Sequence, residues 1–562
     1  MASDVEIAFD KLNGSHEDVL LGVQQGRYVL WVGSGISYGV NPGLPELIAR
    51  IIDFLSAKSD FTSATCPFKK ALDEVLAFGD SSAVDPADPR ADVGAFDALC
   101  RQLAGTYASV LNVAVGAERR DFLLWEAVDF IGTYGRGAAE AEVDHLCIAI
   151  LVMEGLIPAI FSGNWDCNIE EAVATLSADP ALHLLVTLSD SQIREARSSA
   201  RLIKFHGCAD LAEHDASFRE MIVFRSPQVK SWTTDARFAA MRLQMEALSA
   251  SHYTLMMGFS LGDNDITEAL MQSFKSSKRS PTDQPAPFVF AQPVLTPGQD
   301  ELMQAAFGDI PAPDLTTARD RATMSVYSRP FLVALTVSLL ERQLEHALEA
   351  LDGHLQTAER EALRRALRAG AKATCHAAGG DVEGFFGSFL FVLVFLSAAY
   401  HGSFRQPAHP AGRYGAPAEY LPMLGRSPAV AAPDAGGTAE LAGALALLAH
   451  LWDDGVFEVE FAEDPATSMV LRKGSDGTRI FFVKDDRAAI ALERELGSAV
   501  LCDPDVLLLH GRTRAPVQIR SARSVPGRTG ALVPREVGIA DLYEASTDLS
   551  GLLSRFRTEA TL

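Results

Sequence analysis

Four apolar runs in the first half of the chain each break into a short loop carrying glycine and polar residues. The loops are Gly33-Ser34-Gly35-Ile36-Ser37, Gly163-Asn164-Trp165-Asp166, Lys204-Phe205-His206-Gly207 and Gly258-Phe259-Ser260-Leu261. The runs are too short for helices and rich in β-prone residues, so each predicts a buried strand with its loop at the carboxyl end. Open parallel α/β sheets hold their ligands at that rim. A chain built this way is constrained to an α/β fold with a glycine loop, an Asn/Asp pair and a histidine on one edge.

The strand pattern covers residues 28–32, 157–161, 184–186, 201–205, 221–224, 253–257 and 288–290, alternating with helical stretches. That alternation predicts a Rossmann-like parallel sheet with helices on both faces. Between the first and second strands, residues 54–149 turn helical and loop-rich, which predicts a helical insertion placed as a cap over the site. Residues 1–310 thus form one α/β domain. Residues 311–400 form a helical connector, in which Leu340, Leu344, Leu348, Leu351 and Leu355 share one helix face. Those leucines serve either a core or self-association. Residues 401–437, rich in Pro, Gly and Ala, read as a linker, and residues 438–562 as a small α+β domain. Its expected elements are helices at 439–452 and 487–496 and strands at 457–461, 469–472, 480–483, 506–509 and 517–519.

A chain of 562 residues exceeds what one core usually supports, and 48% hydrophobic residues with mean hydropathy +0.10 can fill several. The net charge of −24 argues against a surface that coats nucleic acid. One local exception is Arg512, Arg514, Arg520, Arg523, Arg528 and Arg535, a stretch with no acid, which suits a nucleic-acid backbone, an acidic protein surface or a solvated face. Seven cysteines without Cys-x-x-Cys spacing suggest neither a zinc ribbon nor a disulfide framework. With acids rather than bases at the N-terminus, this predicts a reduced, cytoplasmic setting. The longest apolar run, residues 385–399, is shorter than the ~20 residues of a membrane span and contains Gly387 and Ser388. A buried helix is expected.

Each loop alone has a structural explanation. The glycine loop can be a turn; it lacks a third glycine and is not followed by Gly-Lys-Ser/Thr, so it is no P-loop. Asn164 and Asp166 can form an Asx turn before the helix that follows. His206 can be a core histidine, and Asp263 or Asp265 can cap a helix. Together they supply what a dinucleotide needs. Backbone and hydroxyl groups approach a pyrophosphate, a carboxamide both donates and accepts, and an imidazole exchanges protons near neutral pH.

In order and context, residues 18–300 resemble the sirtuin superfamily, specifically its bacterial NAD-consuming branch in antiphage defence. Gly33-Ser34-Gly35-Ile36-Ser37 is similar to the family's Gly-Ala-Gly-x-Ser loop, and Gly43-Leu44-Pro45-Glu46 to its Gly-Ile-Pro-Asp. Gly163-Asn164-Trp165-Asp166 resembles its Gln-Asn-Ile-Asp motif, His206-Gly207 its His-Gly, and Gly258-Phe259-Ser260-Leu261-Gly262-Asp263 the late Gly-Tyr-Ser-Leu-x-Asp of the defence branch. The chain departs from the deacylases. Only Cys208 lies between His206 and the end of the domain, so the four-cysteine zinc module is absent, and Ile48 stands near the family's usual arginine.

The resemblance implies NAD+ as substrate, no metal, and cleavage of the nicotinamide–ribose bond by water. Gly33, Ser34, Gly35 and Ser37 with Gly258 and Ser260 are the implied dinucleotide-binding residues. Asn164 would orient ribose and water, Asp166 would fix the nicotinamide amide, and His206 would accept a proton. Asn164 and His206 are thus the expected catalytic pair. Two alternatives stand beside hydrolysis: deacylation or ADP-ribosyl transfer, and a non-catalytic NAD or ADP-ribose sensor. Cyclisation breaks the same bond. The resemblance also implies homo-oligomers, a partner of ATPase or Argonaute type, or a phage-derived trigger met through the C-terminal domain.

Overall fold

In the computed structural model of the chain, the described residues are 2–194, 200–259, 261, 267, 270–271, 279–308, 310–402, 414, 438–511 and 535–562. The expected linker at 401–437 and the expected strand at 517–519 therefore fall largely or wholly outside them. So do Ser260, Gly262, Asp263, Asp265 and every arginine of the basic stretch except Arg535.

Six strands form the first sheet: β1 (Tyr28–Val32), β2 (Ala159–Ser162), β3 (Leu184–Thr187), β4 (Ala200–Lys204), β5 (Tyr253–Met257) and β6 (Phe288–Phe290). Their order is β3-β4-β2-β1-β5-β6, with every pairing parallel. The chain leaves β1 on one side to build β2, β4 and β3, then returns to its other side for β5 and β6. The crevice between the carboxyl ends of β1 and β5 is therefore the topological switch point.

Alternation along the strands explains the layers. Tyr28, Leu30 and Val32 of β1 join one core, with Ile160, Leu202, Leu255 and Val289. Val29 and Trp31 join the other, with Phe161, Ile203, Met256 and Phe288. Side chains point alternately up and down a strand, so both faces are apolar and both are covered. Helix Leu44–Lys58, which starts upstream of the insertion, and helices Pro67–Leu76 and Val93–Ala104 within it cover the second face. Helix Val143–Met153, at the insertion's expected boundary, lies on the first face with the N-terminal helices and the connector. The insertion is thus a layer against the sheet that reaches the rim through Phe130 and Tyr134, whose rings meet Trp165 at 5.7 and 5.5 Å.

The run 221–224 is not a strand. Val223 donates its N–H to the His206 carbonyl at 3.0 Å, and Ile222, Val223 and Phe224 are buried under the His206 loop. A short apolar run signals burial more firmly than it signals a ladder.

The single leucine helix expected in the connector is two helices, Ser328–Leu348 and Thr357–Ala377, joined through a turn at Asp352–His354. Leu348 and Leu355 are buried, and Leu344 and Leu351 pack against the same core. Helix Val382–His401 has 20 residues and is long and apolar enough to cross a bilayer by length and composition. That makes it longer than the expected apolar run. It packs on the second sheet, with Phe395 6.4 Å from Phe481.

That second sheet comprises β7 (Glu458–Phe461), β8 (Met469–Lys473), β9 (Asp476–Val483), β10 (Val506–His510) and β11 (Arg535–Gly538), in the order β11-β10-β9-β8-β7. β9, β10 and β11 pair in parallel, while β7, β8 and β9 pair antiparallel. Phe481, Val483 and Leu508 belong to the same continuous core as one face of the first sheet. Apolar packing therefore runs unbroken from the first sheet through the connector to the second one.

Candidate functional site

The glycine loop follows β1 as a short turn, Ser34–Ser37, against the end of β5. Gly258 has φ +68, and a Cβ on it would lie 2.7 Å from the Ile36 nitrogen; a Cβ on Gly33 would lie 2.4 Å from the Gly258 carbonyl oxygen. The two loops touch backbone to backbone, which only glycine permits. Gly33 N–H donates to Met257, Gly35 N–H to Gly258 and Ile36 N–H to Gly33. Those amides are spent within the fold. What the loop presents outward is exposed Ser34 and Gly35, while Ser37 is buried.

The Asn/Asp loop after β2 is tied to this turn twice. Asn164 Nδ2 donates to the Gly33 carbonyl at 3.1 Å, and Ser37 Oγ donates to Asp166 Oδ2 at 3.2 Å. Asn164 N–H is anchored by Ser162 Oγ at 3.1 Å. The other Asp166 oxygen accepts from the Asn168 N–H at 3.3 Å. The segment makes an Asx turn, and its side chains bond to the glycine loop.

His206 ends the loop after β4 and is buried. Its ring stands edge-on to Trp232 at 5.6 Å and beside Phe205 at 4.8 Å. A Cβ on Gly163 would be 3.6 Å from His206 Nδ1, so the imidazole lies against the Asn164 loop. The structure therefore brings Gly33, Ser34, Gly35, Ser37, Asn164, Asp166, His206 and Gly258 to one rim, the switch point of the sheet. Asn164 sits between the glycine turn and the histidine. Ser260 is not among the described residues.

Sequence reasoning missed three contributors. His145 Nε2 lies 3.1 Å from Ser37 Oγ, and Asn168 Nδ2 reaches the same hydroxyl at 3.5 Å. Beneath the rim, Lys204 Nζ bonds Glu170 Oε1 at 2.6 Å, Cys208 Sγ at 3.6 Å and the Asp166 carbonyl. Burial opposes that charge, but Cys208, Glu170 and Cys167 together hold the ammonium protonated well above its ordinary range. A lysine at the end of an otherwise apolar strand was the available signal.

Cys167 and Cys208 face each other at 3.9 Å between sulfurs. Hydrogen bonding from Cys167 and the Lys204 charge pull the Cys208 thiol down, while that same contact and burial push Cys167 up. Cys167, Glu170 and Cys208 place their donor atoms within 4.8 Å of one another, and the Lys204 ammonium is bonded to two of the three.

With this geometry in hand, the comparison is decisive for one segment. Residues 158–307 match the SIR2-like domain family. No curated protein matches the chain. The SIR2-like segment covers about a quarter of the 562 residues. It holds β2 to β6 and thus Asn164, Asp166, His206 and Gly258, while β1 and its glycine loop lie upstream of it. SIR2-like domains use NAD, and NAD-dependent chemistry is the general activity the segment fits. At the same rim Asn164 is half-buried and His206 buried, with Ser34 exposed on the upstream glycine loop.

Proposed function

We propose that the chain is an NAD+ hydrolase that releases nicotinamide and ADP-ribose, and that it serves as a regulated antiphage effector depleting cellular NAD+. The observation that carries the reading is Asn164, bonded to the glycine loop on one side and adjoining the His206 loop on the other.

In this reaction water adds to the anomeric carbon of the nicotinamide ribose, the carbon–nitrogen bond breaks, its electron pair leaves with neutral nicotinamide, and one proton is released. Ser34 and the glycine turn hold the pyrophosphate. Asn164 orients the ribose and the incoming water, and Asp166, fixed by Ser37 and Asn168, meets the nicotinamide amide. His206 accepts the proton. The leaving step builds positive charge on the ribose, and a buried carboxylate and carbonyl dipoles facing it lower the barrier. A cavity of about 950 Å³ lies beyond the carboxyl end of β6, lined by residues 293–297 with Lys11, His16 and Arg321. Immediately after that lining segment Gly298 packs on Leu261 of the β5 loop, and in this reading the adenosine half extends toward that side.

The division into an NAD-binding domain at 1–310, a connector and a C-terminal regulatory domain, homo-oligomerisation and a cytoplasmic setting belong to the same proposal. The seven free thiols support a reducing compartment.

The test is incubation of the purified full-length chain with NAD+ and chromatographic identification of products. Nicotinamide with ADP-ribose supports hydrolysis, and a cyclic product redirects the reading to cyclisation. Turnover that depends on an acyl-lysine or protein acceptor replaces hydrolysis with transfer. Tight NAD binding without turnover, with wild type and Asn164→Ala alike, replaces it with sensing.

A further inference from the structure

His145 opens helix Val143–Met153 and is wholly buried. The Glu142 N–H donates to its Nδ1 at 3.3 Å, which makes Nδ1 the acceptor and places the proton on Nε2. Nε2 therefore donates to Ser37 Oγ at 3.1 Å, and Ser37 passes its own hydrogen to Asp166 Oδ2 at 3.2 Å. With Asn168 as its second donor, the Ser37 hydroxyl accepts twice and donates once. Its capacity is full, so the direction of each bond is fixed by the one before it.

The other end of this chain reaches the C-terminal half. Arg329, in the first turn of helix Ser328–Leu348, binds Glu142 Oε2 at 2.6 Å and Asp144 Oδ2 at 2.7 Å. These are the residues three before and one before the imidazole. The same guanidinium binds Glu383 of helix Val382–His401, the helix that packs on the second sheet. A clamp serving only to fasten a helix would not need a directed donor chain running from its grip to a site carboxylate.

We propose that the C-terminal helices set the state of the nucleotide site through this chain, Arg329 to Glu142 and Asp144, then His145 to Ser37 to Asp166, with His145 as the positioning residue. The groups facing His145 are Asp144, Glu142, Arg329 and Glu170, with Ser37 and Asp166 beyond. Arg329 offsets the two carboxylates flanking the ring. Movement of the C-terminal helices that withdraws Arg329 leaves those carboxylates favouring an imidazolium. A protonated Nδ1 then opposes the Glu142 N–H, donor against donor, the ring turns, and Ser37 releases Asp166. The kinetic arm below rests on the NAD+ hydrolase reading; the unfolding arm does not.

The experiment measures kcat and KM for nicotinamide release against pH with the full-length protein. Arg329→Met is expected to move the acidic limb of kcat upward by about one pH unit with KM within about twofold. His145→Phe is expected to lower kcat by about tenfold or more, and His145→Gln, which keeps an N–H donor and cannot titrate, to restore most of it. In the Arg329→Met/His145→Gln double variant the pH shift should vanish. An unshifted profile in Arg329→Met, or a shift that survives His145→Gln, overturns the proposal. Arg329→Gln, which also removes the charge but keeps a polar side chain, replaces Arg329→Met if the latter does not fold.

If wild type releases no nicotinamide, the hydrolase reading falls, and the chain is tested by thermal unfolding of Ser37→Ala, the Arg329 variant and their double. Those residues share no contact, so additive shifts in Tm would overturn the coupling and non-additive shifts support it.

Discussion

The Asn164 carboxamide donates to the carbonyl oxygen of Gly33, 131 positions away in sequence, at 3.1 Å. One side chain thereby fastens the loop after β2 to the loop after β1. Replacing it by alanine removes a single hydrogen bond, a cost of about 0.5–1.5 kcal/mol. Asn164→Asp is the sharper test, because it sets carboxylate oxygen against carbonyl oxygen. It is expected to weaken NAD binding more than Asn164→Ala despite being isosteric, with nicotinamide release lost in both. Calorimetric titration with NAD+ beside a product assay decides it.

Gly258 has no room for a methyl group. Its φ of +68 is the left-handed region, and its Cβ would meet backbone atoms of Gly33, Gly35 and Ile36 within 3.1 Å. Gly258→Ala is expected to cost about 1–3 kcal/mol in strain and to push the two rim loops apart. Chemical denaturation should show the loss of stability, and NAD binding should weaken together with it.

The pair of Lys204 and Glu170 is buried, with side chains 2% and 5% exposed. Removing one partner strands the other charge, so Lys204→Met should destabilise the fold by about 3–5 kcal/mol. The Lys204→Met/Glu170→Leu double should recover much of that loss. Denaturant midpoints of the two variants separate an ion pair from a packing effect.

Burial pushes the His145 imidazole down from 6.5 to about 4. The unfolded chain takes up that proton near pH 6.5 and the folded one near pH 4, so between those values the unfolded state binds more protons. Stability therefore falls as pH is lowered through this window, by about 3 kcal/mol in total from this group, and levels off below it. Denaturation of wild type against His145→Gln from pH 7 to pH 4 isolates the contribution, since the glutamine variant lacks it.

β1, β5 and β6 were legible to the residue, because Tyr28–Val32, Tyr253–Met257 and Phe288–Phe290 are apolar runs with clear breaks on both sides. So was the meeting of the four loops, since parallel strands put all their carboxyl ends on one edge. The fate of Ser37 was not legible. A serine after Gly-x-Gly points to phosphate by type, yet His145 and Asp166 claim its hydroxyl from positions 108 and 129 away in sequence. Local pattern carries no information about such partners. The run 221–224 misled for a related reason: hydrophobicity records burial, and here the burial supports a loop. The break after Leu348 was hidden because the leucine spacing runs on through a turn that Asp352–His354 imposes.

β1 lies in the middle of the first sheet, paired to β2 on one side and β5 on the other, yet it precedes residues 158–307 by more than a hundred positions. A truncation to that recognisable segment would yield two half-sheets, β3-β4-β2 and β5-β6, each with a raw hydrophobic edge where the missing strand belongs. Such edges pair with whatever strand they meet. Cloning by family boundary would thus produce aggregate, and the upstream residues must travel with the segment for any enzyme to exist.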